Sequence, residues 1–152
     1  MIDRDLAAFL QEGLGIHLGT RNGSLEPNGA RGMAVQVDDD GVHLVVYVAE
    51  IAAARLLSDL EANGQAAVSL ARPVDERAVQ LKGTVVGIRR ATDEERPAVM
   101  AQVDGFRASL ERIGIPRIAT ATWITWPALA IRLKTTALFN QTPGQGTGAP
   151  LA

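Results

Sequence analysis

The chain has 152 residues, a formal net charge of −2 and no cysteine, which fits one ordinary domain and excludes disulfides, thiolate metal sites and cysteine nucleophiles. Just under half of it is apolar, ample for a single buried core. Its positive charges are almost all arginines spread thinly along the chain, and with few aromatic residues this argues against a nucleic-acid surface.

No apolar stretch approaches the roughly 18 residues that span a bilayer. The start, Met-Ile-Asp-Arg-Asp, lacks the basic and then apolar layout of a signal peptide. A soluble cytoplasmic protein without a membrane partner is expected.

The chain opens with a helical pattern. Asp3 can cap it, Leu6, Phe9 and Leu10 form its apolar stripe, and Gly13 and Gly15 end it. Leu14, Ile16 and Leu18 then alternate with Gly15, His17 and Gly19, the period of a half-buried strand. Asn22-Gly23 and Asn28-Gly29 read as turn signals around Pro27. Met33, Val35 and Val37 form a second strand. Asp38-Asp39-Asp40-Gly41 turns the chain into a third, residues 42–48, and the two make a hairpin.

A short helix over 51–62 places Ala53, Leu56, Leu57 and Leu60 on one face and Arg55, Ser58, Asp59 and Glu61 on the other. Asn63-Gly64 stops it in the left-handed conformation. Strands over 65–71 and 77–88 follow, with Gly83 marking a bend or bulge in the second. Thr92 and Glu95 fit a capping box for the longest helix, although Pro97 favours a regular start at that residue. Val99, Val103, Phe106, Leu110 and Ile113 line one side of this helix, and Gly114 and Pro116 end it. Further strands are predicted over 123–126 and 128–139, and residues 140–152 read as an irregular, exposed tail. The sum is a mainly β, α+β chain of six or more antiparallel strands with short covering helices, which favours a small barrel over residues 1–139.

Chemistry is sparse. No phosphate-loop signature, nucleophile elbow or His-Glu-x-x-His pair occurs. His17 and His43 are isolated, and Asp38 to Asp40 read as a solvated hairpin tip. Trp123 and Trp126 suit either packing or stacking on a planar ligand or a partner chain. Arg31 opens the second strand and Arg55 sits near a helix start, where backbone N–H groups and a guanidinium can meet a phosphate.

In order and spacing these elements resemble the pyridoxamine 5′-phosphate oxidase-like family of FMN-binding split β-barrels. The likeness is carried by Arg31-Gly-Met-Ala-Val, by Leu60-Glu-Ala-Asn63-Gly64, by Arg77-Ala-Val-Gln-Leu-Lys-Gly83 and by Phe139-Asn-Gln-Thr-Pro-Gly144. It implies an antiparallel split β-barrel that forms a homodimer, with FMN in the cleft between the chains and a small-molecule substrate. It implies that Arg31 reaches the flavin phosphate, that the backbone of Arg31, Gly32 and Met33 runs beside the ring, and that Arg55 also holds the phosphate. It implies that Gln80 faces the same groove. The family's Ser-Arg-Lys triplet reads Ala54-Arg55-Leu56 here, so two phosphate contacts are absent. An FMN-dependent oxidoreductase is the leading expectation. No catalytic residue is assigned, His17 and Tyr47 being candidate proton donors. The alternative is a non-catalytic homodimeric split barrel that has lost its cofactor.

Overall fold

A computed structural model describes residues 1–151. Helix α1 (Arg4–Leu10) starts where the Asp3 carboxylate accepts the Leu6 N–H at 2.8 Å, and it buries Phe9 and Leu10. Six strands follow: β1 (Gly15–Arg21), β2 (Pro27–Val37), β3 (His43–Ala49), β4 (Gln65–Ala71), β5 (Ala78–Arg90) and β6 (Ala128–Asn140). Helix α2 (Ala54–Asn63) joins β3 to β4, and α3 (Arg96–Arg112) lies between β5 and β6. The strands close a barrel in the order β1-β2-β3-β6-β5-β4, every neighbour antiparallel.

The alternating sequence decides what fills this barrel. Ile16, Leu18, Val35, Val46, Val68, Leu70, Leu81, Ile131 and Leu133 turn inward and are almost fully buried. Gly83 sits at a register shift between β5 and β6. A Cβ there would come within 2.4 Å of the Lys134 carbonyl oxygen, so only glycine permits the expected bend.

A second apolar cluster lies on the outside, where Val99 and Val103 of α3 cover Met33, Ala34, Val45, Tyr47 and Ala130. Beneath α3 one edge of β2 has no strand partner. β1 pairs with β2 only as far as Gly32, and the unpaired edge beyond is capped by side chains. Gln102 accepts the Val35 N–H at 3.0 Å and donates to its carbonyl at 2.7 Å, while Gln11 accepts the Val37 N–H at 3.3 Å.

Several expectations are corrected. Asn28-Gly29 is not a turn. Both residues lie within β2, and the reversal is made by Asn22, whose side-chain oxygen accepts the N–H groups of Ser24 and Glu26. Pro27 takes the first strand position, where its missing N–H costs least. The helix expected over 51–62 divides into a 3-10 turn (Glu50–Ala52) and α2, no side-chain cap marking the boundary. Asp59 belongs to the buried side of α2, where it accepts a hydrogen bond from the Thr20 hydroxyl at 2.7 Å. Residues 123–126 form no strand, and they lead into a cis Trp126–Pro127 bond. Asn140, expected in the tail, ends β6, and residues 141–151 form no helix or named strand, yet the Leu151 N–H returns to the Leu138 carbonyl at 2.9 Å.

Candidate functional site

Strand register assembles the site. On the outer face of the sheet Arg31 lies opposite His17, His17 opposite Ser69, Ser69 opposite Gln80, and Gln80 opposite Phe139. One row thus crosses five strands, polar from β2 to β5 and ending on Phe139 of β6. The next row is made of Gly29, Gly19, Ala67 and Lys82, and its small residues leave a groove of about 440 Å³ floored by backbone. His17, Arg31, Ser69 and Gln80 line that groove, and Gln80 donates to the Ser69 hydroxyl at 3.2 Å. A second depression of about 530 Å³ adjoins it across Gly19 and Ala67, with Arg21, Gln65, Lys82 and Thr84 around it.

Arg31 is held from above. Its guanidinium lies 3.7 Å from the centroid of the Trp123 ring. That indole stacks on Phe106 of α3 at 5.9 Å and 19°. Phe106 in turn rests on Gly15, where an added Cβ would stand 3.2 Å from its ring. Burial lowers the Arg31 pKa, as expected of a guanidinium partly stripped of water. Among the described residues no carboxylate pairs with it.

Beyond Arg31 and Gln80, none of the predicted cofactor-binding residues lines the groove with its side chain, while the backbone of Gly32 and Met33, the part the resemblance assigns to the ring, continues β2 directly from Arg31. Gly32 is buried between Ile16 and Val46, so close to the Ile16 side chain that a Cβ would lie 2.4 Å from it. Its lack of a side chain serves the core. The Met33 side chain lies beneath α3, out of the groove. Leu56 is fully buried in the barrel and cannot touch a surface ligand. Ala54 and Arg55 are exposed at the start of α2, and no residue of that helix lines either depression. The structure therefore brings Arg31 and Gln80 together but does not place Arg55 with them.

Tyr47 is corrected as a proton donor. It is buried under α3, its hydroxyl donating to Glu95 at 2.7 Å. Burial and then the Glu95 carboxylate push its pKa upward. His17 is exposed on the groove. Trp126 packs against the cluster beneath α3, with the Arg96 guanidinium 5.7 Å from its ring. Asp38, Asp40 and His43 come close enough to share a cation. Arg132 already binds Asp38, however, and Asp40 accepts from the His43 ring and from two backbone N–H groups of the hairpin. That cluster is the hairpin tip expected from the sequence.

Sequence reasoning missed Ser69, Phe106 and the facing glycines Gly19 and Gly29. The one visible signal was at Gly19, which period-two spacing assigned with His17 to the outward side of β1.

No protein-family model matches this chain, and no curated protein matches it. Solved structures do. HupZ of Group A Streptococcus superposes with a TM-score of 0.57 at 16% identity, over 97% of this chain and 100% of that one. A candidate pyridoxamine 5′-phosphate oxidase from Lactobacillus delbrueckii gives 0.55 at 14% identity, over 90% and 92%. An FMN-binding protein from Syntrophomonas wolfei gives 0.53 at 10% identity, over 90% and 86%. The chain has the split-barrel fold of these proteins. In this split barrel the groove lies on the outer sheet face beside Arg31.

Proposed function

We propose that this split barrel binds FMN in the groove beside Arg31, as a homodimer, and acts as an FMN-dependent oxidoreductase on a small molecule. The observation that carries the reading is the Arg31 guanidinium, fixed at the groove wall with its charge unpaired. A guanidinium so placed offers in-plane N–H donors to a phosphate.

The rest of the groove fits the group. Gly19, Gly29 and Ala67 let a flat ring lie against the sheet, and Ser69 and Gln80 supply hydrogen-bonding groups at its floor. His17 stands between Arg31 and Ser69, the imidazole able to hold or pass a proton at the groove. Bound flavin would supply the hydride chemistry, while the protein supplies position and electrostatics. The groove is open to solvent along one chain, and a second copy over the same face would exclude water from it. Arg55, with the uncapped start of α2 behind it, is the second phosphate contact that the resemblance assigns.

One observation favours a cofactor-free dimer instead: at the start of α2 Leu56 is buried and Ala54 carries no donor, and among the described residues Arg31 is the one guanidinium lining the groove. Titration of the purified protein with FMN, read by flavin absorbance and fluorescence, separates the two. Binding that Arg31→Ala weakens tenfold or more, as expected for a charge-assisted contact of about 1.5–3 kcal/mol, supports the flavin site. An absence of binding by the wild type refutes it. Arg55→Ala reports whether that side chain reaches the phosphate, and sedimentation reports the dimer.

A further inference from the structure

We infer that Trp123 is a positioning residue for Arg31: its indole fixes the guanidinium at the groove wall and so sets the preference for a phosphorylated ligand over its unphosphorylated counterpart. The inference deepens the flavin reading and rests on it for the identity of the ligand.

An arginine on an exposed strand face samples many rotamers, and ordering it on each binding event is costly. Here the guanidinium carbon sits over the indole, 3.7 Å from the ring centroid. Stacking uses the face of the cation and leaves the N–H donors at its edge free, so the two interactions do not compete.

The indole is itself held. Phe106 backs it, and Gly15 lets Phe106 sit down on β1. The loop that carries it is pinned where Arg107 donates to the Thr120 carbonyl at 3.3 Å and the Trp123 N–H returns to the same oxygen at 3.2 Å. The acidic residue of this stretch of α3 offers Arg31 no alternative. Asp104 is bound by Arg117 at 2.8 Å and by Arg107 at 3.3 Å. Arg31 is left with an aromatic partner and an open edge.

The experiment compares wild type, Trp123→Leu and Trp123→Phe in the full chain. Affinities for FMN and for riboflavin are measured side by side, and the Arg31 Nε–H resonance, assigned through Arg31→Lys, is followed by NMR. The expected result is a roughly three- to tenfold loss of FMN affinity in Trp123→Leu, the range of a partly desolvated cation–π contact. Riboflavin affinity stays unchanged, and Trp123→Phe retains most of the FMN affinity. In wild type the Arg31 Nε–H is displaced by the ring current, and in Trp123→Leu it returns to the position of a free arginine. Equal losses for both flavins, no loss for either, or an Arg31 resonance indifferent to the substitution would overturn the inference. If wild type binds neither flavin, the flavin reading falls. The positioning role is then decided by titrating inorganic phosphate against the same resonance. A response weakened in Trp123→Leu upholds it, and no response in wild type, or an equal one in both, refutes it.

Discussion

Gly19→Val separates the stability of the barrel from the use of its groove. Gly19 lies in β1 with its missing side chain facing outward, and its nearest neighbours to an added Cβ are the carbonyl oxygens of Ala67 at 3.7 Å and Asn28 at 4.0 Å. Both are ordinary contacts, so the backbone accepts a Cβ here without strain. Glycine within a strand costs roughly 0.5–1 kcal/mol relative to alanine, and β-branched residues suit a pleated surface. The variant should therefore be as stable as wild type or more stable by about that amount, a rise in Tm of about 2–4 °C for each kcal/mol in a chain of this size. The two γ-methyl groups, however, would stand on the groove floor between Gly29 and Ala67, where a ring is proposed to lie. Thermal unfolding by circular dichroism and FMN titration test the two halves together. The expected outcome is a maintained or raised Tm with FMN affinity reduced at least tenfold. Undiminished FMN affinity would show that the ligand does not lie on this floor, and a Tm lowered by several degrees would show that the local geometry has been misread.

Gln102→Leu should destabilise the fold by about 1–3 kcal/mol, because the Val35 N–H and carbonyl lose their partners. Faster hydrogen exchange at the Val35 amide checks this locally. Glu95 governs part of the acid response. Arg89 most of all, helped by the Thr92 N–H and the Tyr47 hydroxyl, holds its pKa at about 2, against an ordinary value of 4.5. The folded state thus binds this proton more weakly than the unfolded state does, so the contribution is full above about pH 4.5 and is lost as pH falls towards 2. Glu95→Gln should lower stability near neutral pH by about 1 kcal/mol, a small figure because Arg89 is half exposed and screened. Denaturant midpoints should also fall less steeply between pH 4.5 and 2 in the variant, and an unchanged slope would refute the assignment.

The barrel was legible because each strand has one face against the core. Alternation placed the strands over 65–71 and 128–139 within about a residue of β4 and β6, and Gly83 announced its bulge. The failures share a cause. Asn28-Gly29 has the local chemistry of a turn, but pairing with Gly19 and Thr20 overrides it. Trp123 and Trp126 have the composition of a strand, yet their partners are Arg31, Phe106 and the cluster beneath α3, none of them in a ladder. Asp59 reads as a solvated helix residue until Thr20 is brought to it from β1. In each case a contact distant in sequence outweighs a local preference.

The site was legible only in part, for a related reason. Period-two spacing states which face a residue takes, and it turned His17 outward correctly. It does not state register, and the row from Arg31 through His17, Ser69 and Gln80 to Phe139 depends on four separate registers. The family resemblance supplied Arg31 and Gln80 by position, and by the same route it supplied Leu56, whose triplet position is a lysine in the family but whose burial here ties it to the core. A motif position therefore retains its role only where the new side chain still faces the ligand. Arg31 keeps its side chain and gains a wall, since Gly15, Phe106 and Trp123 come from three separate parts of the chain to hold it. On the proposed flavin reading, the missing donors at the start of α2 and the contact of Arg31 with Trp123 would belong to one arrangement, in which a single preorganised guanidinium would hold the phosphate.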